Sequence, residues 1–177
     1  SCSAQIETVE KFPYKGNSFN YFIVNADSIS ANRLNFIQSD TLYYYDELVQ
    51  KREFSNTFFI NSCVTDSLCR PLGLYIEDGK VKYLLNNNNG QGNFYLKPNG
   101  CLLVSGNNIE IIETNKFVNL PYLKGIQSGP MLINNSIINT QFSINSNNKT
   151  KRSAVGEFYD RNQKKLIFCT SMVYTFL

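Results

Sequence analysis

The apolar residues of this chain come in runs of three to five, and Gly, Asn, Asp or Pro clusters close most of them. Runs this short cannot carry a helical stripe over several turns, but they suit strands. Segments 21–24, 34–37, 57–60, 74–76, 81–85, 93–97, 101–104, 109–113, 131–133, 153–159 and 165–170 read this way. Asp78-Gly79 between the fourth and fifth runs predicts a tight hairpin, and residues 160–163 predict another. Pro98-Asn99-Gly100 reads as a turn, and residues 86–92 as a polar loop. One stretch departs from the pattern. Ser39-Asp40 caps Leu42, Tyr45, Leu48 and Val49, whose spacing predicts a helix over 41–51. The expectation is an α+β fold: one sheet-rich domain over 21–177 with about ten short strands and one or two helices, after an N-terminal extension over 1–20. A chain of 177 residues suits a single domain.

The absence of His removes whole classes of chemistry. Ser-His-Asp and Cys-His engines and His-ligated zinc are excluded within the chain. Acid–base work falls to Asp, Glu, Tyr, Lys or Cys. Trp is also absent, so sugar stacking would fall to the 11 Tyr and 13 Phe. A net charge of +3 is too small for a nucleic-acid surface, though one or two Arg could hold an anionic small substrate. No run approaches the ~18 apolar residues of a spanning helix.

Two polar constellations carry chemistry. In Gln127-Ser128-Gly129-Pro130, Gly129 lets a ligand approach the backbone, Ser128 and Gln127 offer neutral donors, and Pro130 stiffens the bend. Arg152 has the planar fork that pairs with phosphate. Each also has a plainer reading. The first is equally an ordinary turn. Arg152 sits among Lys149, Lys151, Arg161, Lys164 and Lys165, which suit a solvated hairpin face.

Four segments, taken together, resemble the phosphodiester glycosidase family. They are residues 59–63 with 71–79 (Phe-Ile-Asn-Ser-Cys, then Pro-Leu-Gly-Leu-Tyr-Ile-Glu-Asp-Gly), 92–100 (Gly-Asn-Phe-Tyr-Leu-Lys-Pro-Asn-Gly), 126–132 (Ile-Gln-Ser-Gly-Pro-Met-Leu) and 151–156 (Lys-Arg-Ser-Ala-Val-Gly). The resemblance spans roughly residues 24–168. It implies hydrolysis of a glycosyl-1-phosphodiester, of the GlcNAc-phosphate type, on a glycan or cell-wall polymer. Gln127, Ser128, Gly129, Pro130 and Arg152 would then hold the phosphate, and Asn61 the sugar. Asp66 or Asp27 would assist water or serve a loop. No cofactor is implied, although Asp and Asn oxygens leave room for a divalent metal. The partner is a phosphorylated sugar or glycan, with no nucleic acid. The family's Asn-Gly-Gly is Asn61-Ser62-Cys63 here, and its helix and Asp-Gly-Gly segment do not follow the last strand. An inactive glycan- or phosphate-binding module is therefore one alternative, and a peptidoglycan-acting toxin or lysin component another.

Five Cys give no metal spacing. A Cys63–Cys69 bridge stays open in an oxidising compartment. Cys101 and Cys169 read as buried apolar residues. Ser1-Cys2 is compatible with a bacterial lipoprotein site, with Cys2 the lipid-bearing residue. Bacterial family members are typically exported, so an extracytoplasmic location is expected.

Overall fold

A computed structural model of the chain describes residues 10–28, 33–37, 58, 60–142, 147, 149–172 and 175–176. In chain order its strands are β1 (Glu10–Tyr14), β2 (Asn17–Asn25), β3 (Tyr75–Glu77), β4 (Lys80–Tyr83), β5 (Gly100–Ser105), β6 (Asn108–Glu113) and β7 (Lys124–Ser128). Next come β8 (Ile133–Asn134), β9 (Ile137–Ile138), β10 (Lys149–Thr150), β11 (Ser153–Asp160), β12 (Gln163–Ser171) and β13 (Thr175–Phe176). A four-stranded sheet has the order β1-β2-β12-β11, and a five-stranded sheet the order β4-β3-β7-β5-β6. Every pairing in both is antiparallel.

Local chemistry explains the hairpins. Type I′ turns need two successive residues at positive φ, which gives the twist that the flanking strands require. Asp78 and Gly79 adopt φ 48° and 73°, and Arg161 and Asn162 adopt 45° and 66°. Lys15 and Gly16, at 45° and 76°, join β1 to β2 in the same way. Residues 10–20 of the expected extension are thus paired into the four-stranded sheet.

The two sheets pack face to face. Leu102, Val104, Ile109, Ile126 and Tyr75 of one meet Leu166 and Phe168 of the other, with Phe22, Val24, Phe58 and Ile60 against them. On its far face the five-stranded sheet buries Leu74, Ile76, Cys101 and Leu103 with Tyr122, and Phe117 stacks on Tyr122. A sheet covered on both sides reads as an unbroken apolar run. That is why Cys101-Leu102-Leu103-Val104 shows no alternation. The four-stranded sheet is apolar on both faces too, as Tyr21-Phe22-Ile23-Val24 and Leu166-Ile167-Phe168-Cys169 show. Phe22 and Val24 point inward, while Phe19, Tyr21 and Ile23 line an outer apolar cavity of about 360 Å³ with Phe12, Ile167 and Cys169.

Several expectations need correction. Residues 93–97 are not a strand but carry a short 3-10 turn over Asn93–Tyr95. The chain turns there to bury Phe94, whose carbonyl takes a hydrogen bond from Asn99 Nδ2 at 2.8 Å. Residues 34–37 have no regular structure, and only Ile133 of segment 131–133 is paired. The helix over 41–51 lies outside the described residues, as do Thr57 and Phe59. Helical structure among the described residues is limited to 3-10 turns at 26–28, 93–95 and 114–116, so they form a sheet domain rather than a strict α+β one. No described helix is long and apolar enough to cross a membrane.

Candidate functional site

The register of β5 and β7 builds the site. Gly100 lies opposite Ser128, so the turn entering β5 and the turn leaving β7 stand side by side. Both contain a cis proline peptide, Lys97–Pro98 and Gly129–Pro130. Met131 N donates to Pro98 O at 2.8 Å. Asn139 Nδ2 clamps both turns, reaching Lys97 O at 3.1 Å and Met131 O at 3.0 Å. Gln141 Oε1 accepts from Lys97 N at 3.1 Å, and Gln141 N donates to Asn139 Oδ1 at 2.9 Å. Gly129 is required by the close approach. A Cβ there would lie 2.1 Å from Asn99 Oδ1, and Asn99 is fully buried.

The proposed phosphate cradle divides into parts. Gln127 is buried, and its side chain serves the backbone. Oε1 accepts from Leu74 N at 3.0 Å and Asn86 N at 2.9 Å, while Nε2 donates to Asn86 O at 2.7 Å. The amide thus bridges the gap where the chain before β3 and after β4 diverges. Gly73 leaves it room, since a Cβ there would lie 2.3 Å from Oε1. Ser128 and Pro130 remain half-buried at the turn.

Arg152 immediately precedes β11. Its N donates to Ser171 Oγ at 2.7 Å, and its O accepts from Ser171 N at 2.8 Å. Two contacts align β11 and β12 with β6: Lys164 Nζ reaches Ile109 O at 2.8 Å, and Ile111 N reaches Glu157 Oε2 at 2.9 Å. From there β6 runs to Glu113 and β11 to Ser153, so Arg152 belongs to the end of the sandwich where Gly100 and Ser128 lie. Burial pushes its guanidinium pKa down.

Neither expected carboxylate joins this end as an open group. Asp27 follows Asn25, which pairs with Lys165, and the neighbouring Ala26 packs with Ile109. Asp27 therefore sits at the opposite end of β6, roughly 13 Å of strand from Glu113. Asp66 closes its own loop. Oδ1 accepts from Leu68 N at 2.8 Å and Arg70 N at 3.0 Å, and Oδ2 from Arg70 Nε at 2.8 Å. The Arg70 side chain, then its backbone N–H, hold the Asp66 carboxyl below the usual carboxylate range. Its bonds therefore stabilise the loop fully above the ordinary carboxylate pKa of about 4 and are lost as pH falls through the lowered value. Protection of the Leu68 and Arg70 amides against hydrogen exchange is expected to collapse only in that acid window. Loss of this protection already above the ordinary carboxylate range would show that something other than the carboxylate holds the loop. Asn61 is exposed on the chain leading into this loop, which closes with Leu72 N on Val64 O at 3.0 Å.

The structure adds two charged residues that the sequence pattern does not reveal. Glu113 lies opposite Gly100 on β6. Strand alternation puts it on the same sheet face as Ser128, two strands over, with the Met131 side chain lying over Gly100 between them. It is half-buried, and its Oε2 accepts from Asn134 Nδ2 at 2.9 Å. Lys97 is the second. Its stem is half-buried, and its ammonium nitrogen is shielded from solvent with no hydrogen-bond partner among the described residues. In sequence Glu113 and Lys97 read only as the last residues of the strand segments 109–113 and 93–97.

Cys63 and Cys69 are unbridged thiols, and burial raises the Cys63 pKa. Cys101 is buried with its pKa pushed up to about 12, as an apolar neighbour set dictates. Among the described residues no three His, Cys, Asp or Glu side chains cluster as metal ligands.

Gly129, Ser128 and Glu113 thus share one sheet end, with Arg152 at the same end of the facing sheet. The chain belongs to the phosphodiester glycosidase family, whose sequence model matches residues 48–171. It is similar to the uncharacterized protein YigE of Escherichia coli (strain K12), with 37% identity over 98 residues. That match covers 55% of this chain and 39% of YigE, so the chain matches about two fifths of that relative's length. No solved structure matches it.

Proposed function

We propose that this domain hydrolyses a glycosyl-1-phosphodiester, of the N-acetylglucosamine–phosphate type, on a glycan or cell-wall polymer outside the cytoplasm. The observation that carries the reading is the meeting of two turns at one sheet end, Lys97–Gly100 and Gln127–Pro130, with Glu113 one strand away. Ser128 Oγ and the Gly129 N–H donate to the phosphoryl oxygens, and Arg152 approaches from the other sheet. Asn61 serves the sugar. A phosphate monoester leaves readily, so little protonation is needed. Glu113 takes the role assigned in sequence to Asp66 or Asp27 and accepts a proton from water. The water oxygen bonds to the anomeric carbon, the carbon–oxygen bond to phosphate breaks, and free sugar and a phosphate monoester depart. The extracytoplasmic setting, with Cys2 carrying lipid, belongs to the same proposal, and mass spectrometry of the native protein tests it at Cys2.

Turnover of methyl GlcNAc-1-phosphate decides the matter. Arg152→Ala and Glu113→Gln are each expected to slow it by at least ~100-fold, the scale of losing one transition-state contact. Normal turnover in either variant removes that residue from the mechanism. A second reading, a phosphate- or glycan-binding module without turnover, is favoured by one observation: Asp66 is fully committed to Arg70 and its own loop. Wild-type hydrolysis rejects it.

A further inference from the structure

Charges shut away from water are almost always paired, because an unpaired one loses its hydration and gains nothing in return. Lys97 departs from that rule. Its ammonium is buried without a hydrogen-bond partner among the described residues. The Phe94 ring, 5.8 Å away, supplies a cation–π contact and no counter-charge. The backbone around it is held. Lys97 N is bonded to Gln141 and Lys97 O to Asn139, and the next residue but one, Asn99, packs against Gly129. The backbone that carries the ammonium is therefore fixed next to the Ser128-Gly129 turn, and the ammonium, over the Phe94 ring, is joined to it by a flexible four-carbon stem.

We propose that Lys97 is the counter-charge for the phosphoryl group bound at this turn, swinging from the Phe94 ring to meet the anion. The proposal rests on the phosphodiester reading above and names the cation of its anion site. Burial already pushes the Lys97 pKa down, the direction expected of an ammonium without an anion. A lysine suits the task because its three donors rotate about a point charge and need no fixed fork.

Inorganic phosphate is the probe, and the full chain the sample. Phosphate is expected to raise the thermal midpoint of the wild-type protein and to shift the Lys97 signal in NMR of protein carrying 13Cε-labelled lysine. That signal is assigned by its loss in Lys97→Arg. Lys97→Met is expected to bind phosphate at least ~10-fold more weakly, the scale of one lost charge-assisted hydrogen bond. Without phosphate its midpoint should exceed that of the wild type, because an unpaired buried charge has gone. A merely structural lysine would lower it. Lys97→Arg should retain phosphate binding. No phosphate binding by the wild type, an unmoved Lys97 signal, or undiminished binding by Lys97→Met overturns the proposal. Turnover separates the two claims. Lys97-dependent phosphate binding without wild-type hydrolysis leaves the anion site standing and rejects the hydrolase. Hydrolysis with Lys97→Met unaffected does the reverse.

Discussion

Gln127→Leu is expected to lower the stability of the domain by about 3–4 kcal/mol, read as a lower urea midpoint at unchanged slope. Leu nearly fills the volume, so a cavity is not the cause. The loss comes from three backbone groups, Leu74 N, Asn86 N and Asn86 O, which all bond to the Gln127 amide. Leu74 and the amide are buried, so water cannot replace the lost partner there. An unsatisfied buried polar group costs roughly 1–3 kcal/mol, and half-buried Asn86 rehydrates in part. Gln127→Glu tests the assignment more sharply. A carboxylate still accepts from the two N–H groups but meets the Asn86 carbonyl as oxygen against oxygen. Its protonated form donates again, so the deficit should shrink as pH falls through the new carboxyl's pKa. Gly73→Ala should be costly too, because its Cβ would lie 2.3 Å from Gln127 Oε1. Combined with Gln127→Leu it should cost less than the sum, since both act on one contact. Additive costs would refute the coupling, and a fully stable Gln127→Leu protein would show that the bridge does not matter.

Gly129→Ala is expected to reduce phosphodiester turnover by at least ~100-fold and stability by roughly 2–3 kcal/mol. The added Cβ would lie 2.1 Å from Asn99 Oδ1 and 2.5 Å from its Cγ. Asn99 cannot retreat. Its Nδ2 is bonded to Phe94 O and its backbone O accepts from Thr114 N. The Ser128-Gly129-Pro130 turn must move instead, away from β5 and from the groups proposed to hold the phosphate. A displacement near 1 Å suffices for a loss of this size in an oriented site. Shortening the obstacle with Asn99→Ala in the same chain should restore part of the turnover. Normal turnover in Gly129→Ala alone would detach this turn from the chemistry.

These effects show where the sequence was readable. The β3–β4 and β11–β12 hairpins were legible because the chemistry of a tight turn is local. The unbroken run of β5 was legible because a strand covered on both faces has no polar side to show. The run Phe94-Tyr95-Leu96 looked like the same thing and was not. The preceding Gly92, at φ 94°, and the Asn99 amide on Phe94 O bend it into a turn. At the site, Gln127-Ser128-Gly129-Pro130 was conspicuous, yet Gln127 supports the backbone. Asn139, which clamps the two proline turns, had no signal at all. It is one of 24 Asn, so its residue type could not single it out.

The sequence alone set the vocabulary of this protein: short antiparallel strands, their tight turns, and a chemistry left to carboxylates, hydroxyls, thiols, Arg and Lys by the absence of His. Those properties follow from a residue and its near neighbours. Only the tertiary structure decided which carboxylate stands beside the Ser-Gly-Pro turn and which cation is stripped of water. Glu113 stands there because β5, carrying Gly100, pairs with β7 on one side and β6 on the other. Lys97 is shielded within a turn fixed by Asn139 and Gln141, more than 40 positions away in the chain. Pairing and desolvation depend on residues that meet only after folding, and no local pattern encodes them.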